Sequence, residues 1–123
     1  MIGIDLVSVS RIEKALQRHG DRLKHRLFTA SEIAYCDSKK HPAIHYAARF
    51  AAKEAVAKLF TQGPRDFWRD IEIISGYNGK PMLQLSERLQ KINSDFIEIS
   101  LTHEKFGDDI AAIAVAMIRF QNT

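Results

Sequence analysis

The chain of 123 residues reads as one α+β domain, an antiparallel sheet wrapped on one long central helix, and three observations predict it. From Ala43 to Phe60 there is neither Gly nor Pro, and Ala, the best helix former, is abundant. Residues Ile2–Val9 before this stretch, and Asp70–Ser75, Met82–Leu85, Ile97–Thr102 and Ile110–Phe120 after it, carry the apolar and β-branched residues of strands. The resulting order is strand, helices, hairpin, short helix and closing strand pair, which is that of an α+β domain.

The elements follow in order. Ile2, Ile4, Leu6, Val7 and Val9 supply a short, mostly buried first strand, interrupted by Asp5. A carboxylate there is costly to bury unless it is paired or bound to a metal; the plain alternative is a strand-end cap. Ser10-Arg11-Ile12-Glu13 has the form of a capping box, Ile12, Ala15 and Leu16 form an apolar stripe, and Gly20 is expected to stop this helix. Thr29-Ala30-Ser31-Glu32 is a second box, opening a short helix to about Asp37, and His41-Pro42 leads into the long one. There Ile44, Ala47, Ala48, Ala51, Ala55 and Leu59 share one face, the pattern of a helix packed on a core. Glu54 and Lys58 lie one turn apart on the rim of that face. They form either an ordinary salt bridge worth roughly 0.3–0.5 kcal/mol or a ligand contact. Gly63-Pro64 closes the helix, and Asn78-Gly79 predicts a hairpin turn of type I′ geometry. Ser86 caps a short helix to Ile92. Ile97, Ile99 and Leu101 alternate with Glu98, Ser100 and Thr102 as in a half-buried strand, and Glu104–Asp109 reads as a polar turn. Ile110–Phe120 is apolar enough for the centre of a sheet.

Composition narrows the function. The length suits a single core, and no apolar run approaches the roughly 20 residues that span a bilayer. The N-terminus has no signal-like pattern, so a cytoplasmic protein without a membrane partner is expected. Cys36 is the only cysteine, which rules out an internal disulfide and a cysteine-pair zinc site. Net charge is only +3, but Arg18, His19, Arg22, Lys24, His25 and Arg26 crowd into nine positions opposed by Asp21 alone. Such a patch is either a solvated helix face or a recruiter of a polyanion. It lacks the interleaved aromatics of single-stranded nucleic-acid binders, so an acidic protein or a phosphate-rich small molecule fits as well or better.

Taken together, Gly3-Ile4-Asp5-Leu6 followed by Arg11-Ile12, then Arg49-Phe50-Ala51-Ala52-Lys53-Glu54-Ala55-x-x-Lys58, make a composite motif. Asp70-Ile71-Glu72-Ile73, Asn78-Gly79-Lys80-Pro81 and Ser100-Leu101-Thr102-His103 continue it along nearly the whole chain. The pattern resembles the holo-[acyl-carrier-protein] synthases of the 4′-phosphopantetheinyl transferase superfamily. These enzymes move the phosphopantetheine arm of coenzyme A onto a serine of apo acyl carrier protein and release adenosine 3′,5′-bisphosphate.

The resemblance implies a set of roles. Asp5 and Glu54 would hold Mg²⁺, which typically takes one or two carboxylates and completes its shell with phosphate oxygens and water. Lys58 would reach the diphosphate, and Glu54 would take the serine proton, directly or through a water. Arg49, Lys58, Gly63, Gly79, Lys80, Pro81, Thr102 and His103 are the implied coenzyme A contacts, with His103 directed to the 3′-phosphate. Arg49 has alternatives: it anchors the surroundings of Glu54, or it is a solvent-facing charge. Arg11, Arg22 and Arg26 would meet the acidic carrier, with Leu23, Leu27, Phe28, Ile33 and Tyr35 as either its apolar footing or core. Short members are homotrimers whose active sites are shared between adjacent subunits. Two departures stand out: Thr61-Gln62-Gly63-Pro64 keeps one glycine of the family's Gly-x-Gly loop, and Glu104–Asp109 is longer and more acidic than usual. The rival from another class is a basic nucleic-acid-binding domain without catalysis, which leaves Asp5 and Glu54 unexplained. A second rival, an inactive carrier-binding module, sits poorly with the intact Asp5, Glu54 and Lys58.

Overall fold

The computed structural model describes residues 1–60, 67–76, 78–89 and 96–119. Strand β1 (Ile2–Ser8) runs into helix α1 (Val9–Leu27), followed by α2 (Ala30–Asp37) and the long α3 (Pro42–Ala57). A hairpin of β2 (Ile71–Ser75) and β3 (Pro81–Leu85) comes next, then one 3-10 turn at Glu87–Leu89. The hairpin of β4 (Ile97–Phe106) and β5 (Asp109–Ile118) follows. The sheet is in two pieces. β1, β5 and β4 form a three-stranded antiparallel sheet in the order β1-β5-β4, while β2 and β3 pair separately. The apolar β5 therefore takes the central place its composition predicts.

The core lies where α3 crosses the sheet. Ala51, Ala52, Ala55, Val56 and Leu59 pack on Ile71, Ile73, Leu85, Ile97, Ile99, Ala114 and Ala116. Small side chains on both sides let helix and strands approach closely. Gly3 is the extreme case: a Cβ there would lie 1.9 Å from the Ala55 carbonyl oxygen. No other residue fits, and the contact brings the strand of Asp5 against the helix of Glu54.

Several local expectations need correction. The cap of α1 is Ser8, whose hydroxyl accepts from the Arg11 N–H, so the helix starts at Val9 and the box predicted at Ser10 does not form. Gly20 does not end α1; its φ of 59° makes a kink, and a second helical segment continues to Leu27. The box of α2 forms in full, with Thr29 and Glu32 each bonding the other's backbone N–H. α3 stops at Ala57 rather than Phe60. The Asn78-Gly79 turn is not type I′, because Gly79 alone takes a positive φ (78°). It is a longer loop closed by the Gly76 N–H on the Lys80 carbonyl. The helix predicted over Ser86–Ile92 is a single 3-10 turn as far as Leu89, and residues 90–92 lie outside the described part. β4 reaches Phe106, so the polar turn predicted over Glu104–Asp109 shrinks to Gly107 and Asp108. Among the described residues no helix is long and apolar enough to cross a membrane.

Candidate active site

On the inner face of β1, Asp5 follows Gly3 by two residues and so points toward α3, as strand alternation requires. There it meets Lys58, whose ammonium lies 3.6 Å from the Asp5 carboxylate and donates to the Ile4 carbonyl at 2.6 Å. Glu54, one turn earlier on α3, is half-buried. Burial, with the Asp5 charge second, pushes its carboxyl above the ordinary carboxylate range, against the pull of Lys58. Lys58 thus pairs across elements with Asp5, beyond the i,i+4 reach that α3 alone would allow.

These three side chains line one cavity of about 630 Å³. Its remaining wall is largely α1: Arg11, Ile12, Ala15, Leu16, His19, Leu23 and Leu27, with Phe28 and Phe50 behind. Of the residues expected to meet an acidic protein, Arg11 borders this cavity, while Arg22 and Arg26 are exposed further along α1. Leu23, Leu27 and Phe28 line the cavity; Ile33 and Tyr35 instead pack against the buried cluster of Phe28, Cys36 and Tyr46.

The expected nucleotide contacts fall elsewhere. Arg49, Gly79, Pro81, Thr102 and His103 line a second cavity of about 640 Å³, together with Lys39, Lys40, His41 and His45. Lys80 is exposed on the adjoining turn, and Gly63 lies outside the described residues. The second cavity is edged by basic side chains and, among the described residues, by no carboxylate. Arg49 is its buried member, 4% exposed, which excludes the solvent-facing alternative. Its guanidinium stacks 3.9 Å from the centre of the Tyr35 ring and donates to the Ser75 hydroxyl at 3.1 Å. Nε has no partner among the described residues, and none of their carboxylates pairs with the group. A buried guanidinium is costly to leave without an anion. Lys39, Lys40, His41 and His45 were not singled out in the sequence. The available signal was their clustering at 39–45, which looks like an ordinary solvated loop until β4 places His103 opposite it.

No group of three His, Cys, Asp or Glu side chains capable of holding a metal occurs among the described residues. Two carboxylates remain, Asp5 and Glu54, in a cavity with room for more ligands. That donor set fits Mg²⁺, a hard cation that draws on one or two carboxylates plus phosphate oxygens and water.

Comparison with known proteins agrees with this geometry. The model of the 4′-phosphopantetheinyl transferase superfamily matches residues 1–116. The holo-[acyl-carrier-protein] synthase of Geobacter sp. (strain M21) is 43% identical over 122 residues, covering 94% of this chain and 93% of its own. The chain belongs to the holo-[acyl-carrier-protein] synthase family. Among solved structures, the Helicobacter pylori holo-[acyl-carrier-protein] synthase in complex with coenzyme A superposes with a TM-score of 0.78 at 31% identity. The alignment covers 96% of this chain and 99% of that one. A Plasmodium yoelii acyl carrier protein synthase with ADP bound gives 0.77 at 27%, covering 98% and 95%. The synthase fold thus spans the chain from β1 to β5.

Proposed function

We propose that this synthase transfers the 4′-phosphopantetheine group of coenzyme A to a serine of apo acyl carrier protein in the cytoplasm. The observation that carries the reading is the convergence of Asp5, Glu54 and Lys58 on one cavity edged by Arg11. The acceptor serine Oγ attacks the β-phosphorus of the diphosphate. The bond from that phosphorus to the bridging oxygen breaks, and adenosine 3′,5′-bisphosphate leaves with the electron pair. Asp5 and Glu54 would hold Mg²⁺, which when bound neutralises charge on the diphosphate. Lys58, anchored on the Ile4 carbonyl, presents its ammonium to the same phosphates. Glu54 receives the serine proton, directly or through a water. Arg11, Arg22 and Arg26 guide the acidic carrier, and the apolar wall of α1 receives it.

The implied coenzyme contacts are divided between two cavities that share no lining residue. A homotrimer would join the cation-binding cavity of one subunit to the basic cavity of the next. The outer face of the three-stranded sheet supports such an assembly. There Ile2, Ile4 and Leu6 are 64%, 56% and 62% exposed, in register with Met117, Val115 and Ile113. Three bulky apolar residues in a row on an open face are the usual mark of an interface.

The test is the mass of apo acyl carrier protein after incubation with the protein, coenzyme A and Mg²⁺. Gain of one phosphopantetheine is expected. Asp5→Ala and Glu54→Ala should each cut the rate at least about a hundredfold while the protein stays folded, as loss of a metal ligand or base does. A carrier of unchanged mass with the wild-type protein, or near-normal rates in both variants, would contradict the reading.

A further inference from the structure

Helix α1 has no acidic residue in its first turn, yet its start is tightly held. Ser8 accepts from the Arg11 N–H at 3.3 Å and in turn donates its own proton to the Asp109 carboxylate, which lies 101 positions away in sequence. The other Asp109 oxygen accepts from the Ser10 N–H at 3.0 Å, and the Ser10 hydroxyl donates to the carboxylate, also at 3.0 Å. A helix leaves its first N–H groups unpaired and carries partial positive charge at that end. Asp109 therefore supplies, from the head of β5, the anionic cap that α1 lacks.

We propose that Asp109 is a positioning residue for the carrier protein: it fixes the joint between β1 and α1, and with it the bearing of Arg11 relative to Asp5. The inference rests on the carrier-docking reading of Arg11. Three observations support it. The clasp sits at Ser8, midway between Asp5 and Arg11, and all three residues border the cavity of Glu54 and Lys58. Arg11 is linked to Asp109 by a two-bond relay, its N–H to the Ser8 hydroxyl and that hydroxyl to the carboxylate. β5 is also the strand that pairs with β1, the last rung being Ser8 with Ala111, so the clasp and the ladder belong to one rigid element. The Ser8 hydroxyl first, then the Ser10 and Ile110 N–H groups, hold the Asp109 carboxyl at about 2, so it remains an anion at any working pH. Asp109 does pair with Phe106 at the end of β4, but Arg49, Gly79, Pro81, Thr102 and His103 of the second cavity make no hydrogen bond to Ser8, Ser10 or Asp109 among the described residues.

The experiment measures KM for apo acyl carrier protein and for coenzyme A separately, in wild type, Arg11→Ala, Asp109→Ala and Asp109→Asn. Asp109→Ala should raise the carrier KM about five-fold, the size expected of a lost helix cap, and leave the coenzyme KM within about two-fold. Asp109→Asn, which keeps an acceptor for the Ser10 N–H, should recover most of the loss. A proportionate rise in both constants, a fall in kcat alone, or an unchanged carrier KM would overturn the proposal. Should Asp109→Ala fail to fold, Ser10→Ala decides: it removes the hydroxyl that bonds Asp109 and Ser8 but keeps the Ser10 N–H bond, and a carrier KM equal to wild type would count against the idea. Wild-type transfer with no effect of Arg11→Ala on the carrier KM would remove the docking reading itself, and this inference with it.

Discussion

Two residues of the second cavity bear on the proposed nucleotide site. Arg49 is held by Tyr35 and Ser75 and pairs with no carboxylate of the described residues, and His45 stands beside it, edge-on to the same Tyr35 ring. Burial first, then the positive charges of Arg49, Lys39, His103 and His41, pull the His45 imidazole below its ordinary value of 6.5. The folded chain then binds fewer protons than the unfolded chain just below that value, so this group makes stability fall as pH drops through that range. A phosphate dianion in the cavity reverses the balance by favouring the imidazolium. Adenosine 3′,5′-bisphosphate should therefore move the His45 titration upward, read by NMR from the ring proton shifts. An unmoved or lowered titration at saturating nucleotide would show that the phosphate does not reach this cavity.

Among the elements, α3 is fixed by a fully buried ion pair that its motif hides. Lys53 points away from the cavity and meets Glu32 of α2 at 2.5 Å, with neither side chain exposed. The ammonium also donates to the Leu27 and Trp68 carbonyls at 3.0 and 2.5 Å, while Glu32 accepts from the Thr29 and Ile73 N–H groups at 2.8 and 2.9 Å. One pair thereby joins α1, α2, α3 and β2. Burial favours neutral Lys53, and the adjacent carboxylate opposes it. Lys53→Met should cost about 3–5 kcal/mol, since it leaves a buried carboxylate without its cation. Urea unfolding with an unchanged slope would measure it, and a loss below about 1 kcal/mol would mean the charge is not needed. Much of this scale was legible: the Ala face of α3, the Thr29 box and the central place of β5 all follow from local pattern. Lys53 was not, because lysine is almost never fully buried and nothing in sequence marks an exception. The Ser10–Glu13 box pointed to Ser10 as the cap, whereas Ser8 takes that place and both serines bond Asp109, which is remote in sequence. At the site, Asp5, Glu54 and Lys58 stood out by residue type and spacing. Gly3 and the division into two cavities are tertiary facts, visible only once α3 lies on β1.

The described residues present an open sheet face whose apolar row none of them covers. If the proposed trimer forms through this face, Ile4→Glu at its centre should give monomers in light scattering and abolish most transfer, while the monomer keeps its helical signal. A charge buried between subunits without a partner is too costly for assembly. A trimer that survives this change would place the interface elsewhere. The topology carries a further consequence for how the protein is made. β1 leaves the ribosome first, but the strand it pairs with is β5, the last, and the clasp on α1 also waits for Asp109. At roughly 5–20 residues per second, synthesis leaves the first strand without its ladder for on the order of ten seconds. During that interval the β1 backbone groups that pair with β5 are an open, aggregation-prone strand edge on a nascent chain. A stalled or prematurely ended chain would carry that edge indefinitely, which makes this small domain dependent on translation reaching its end.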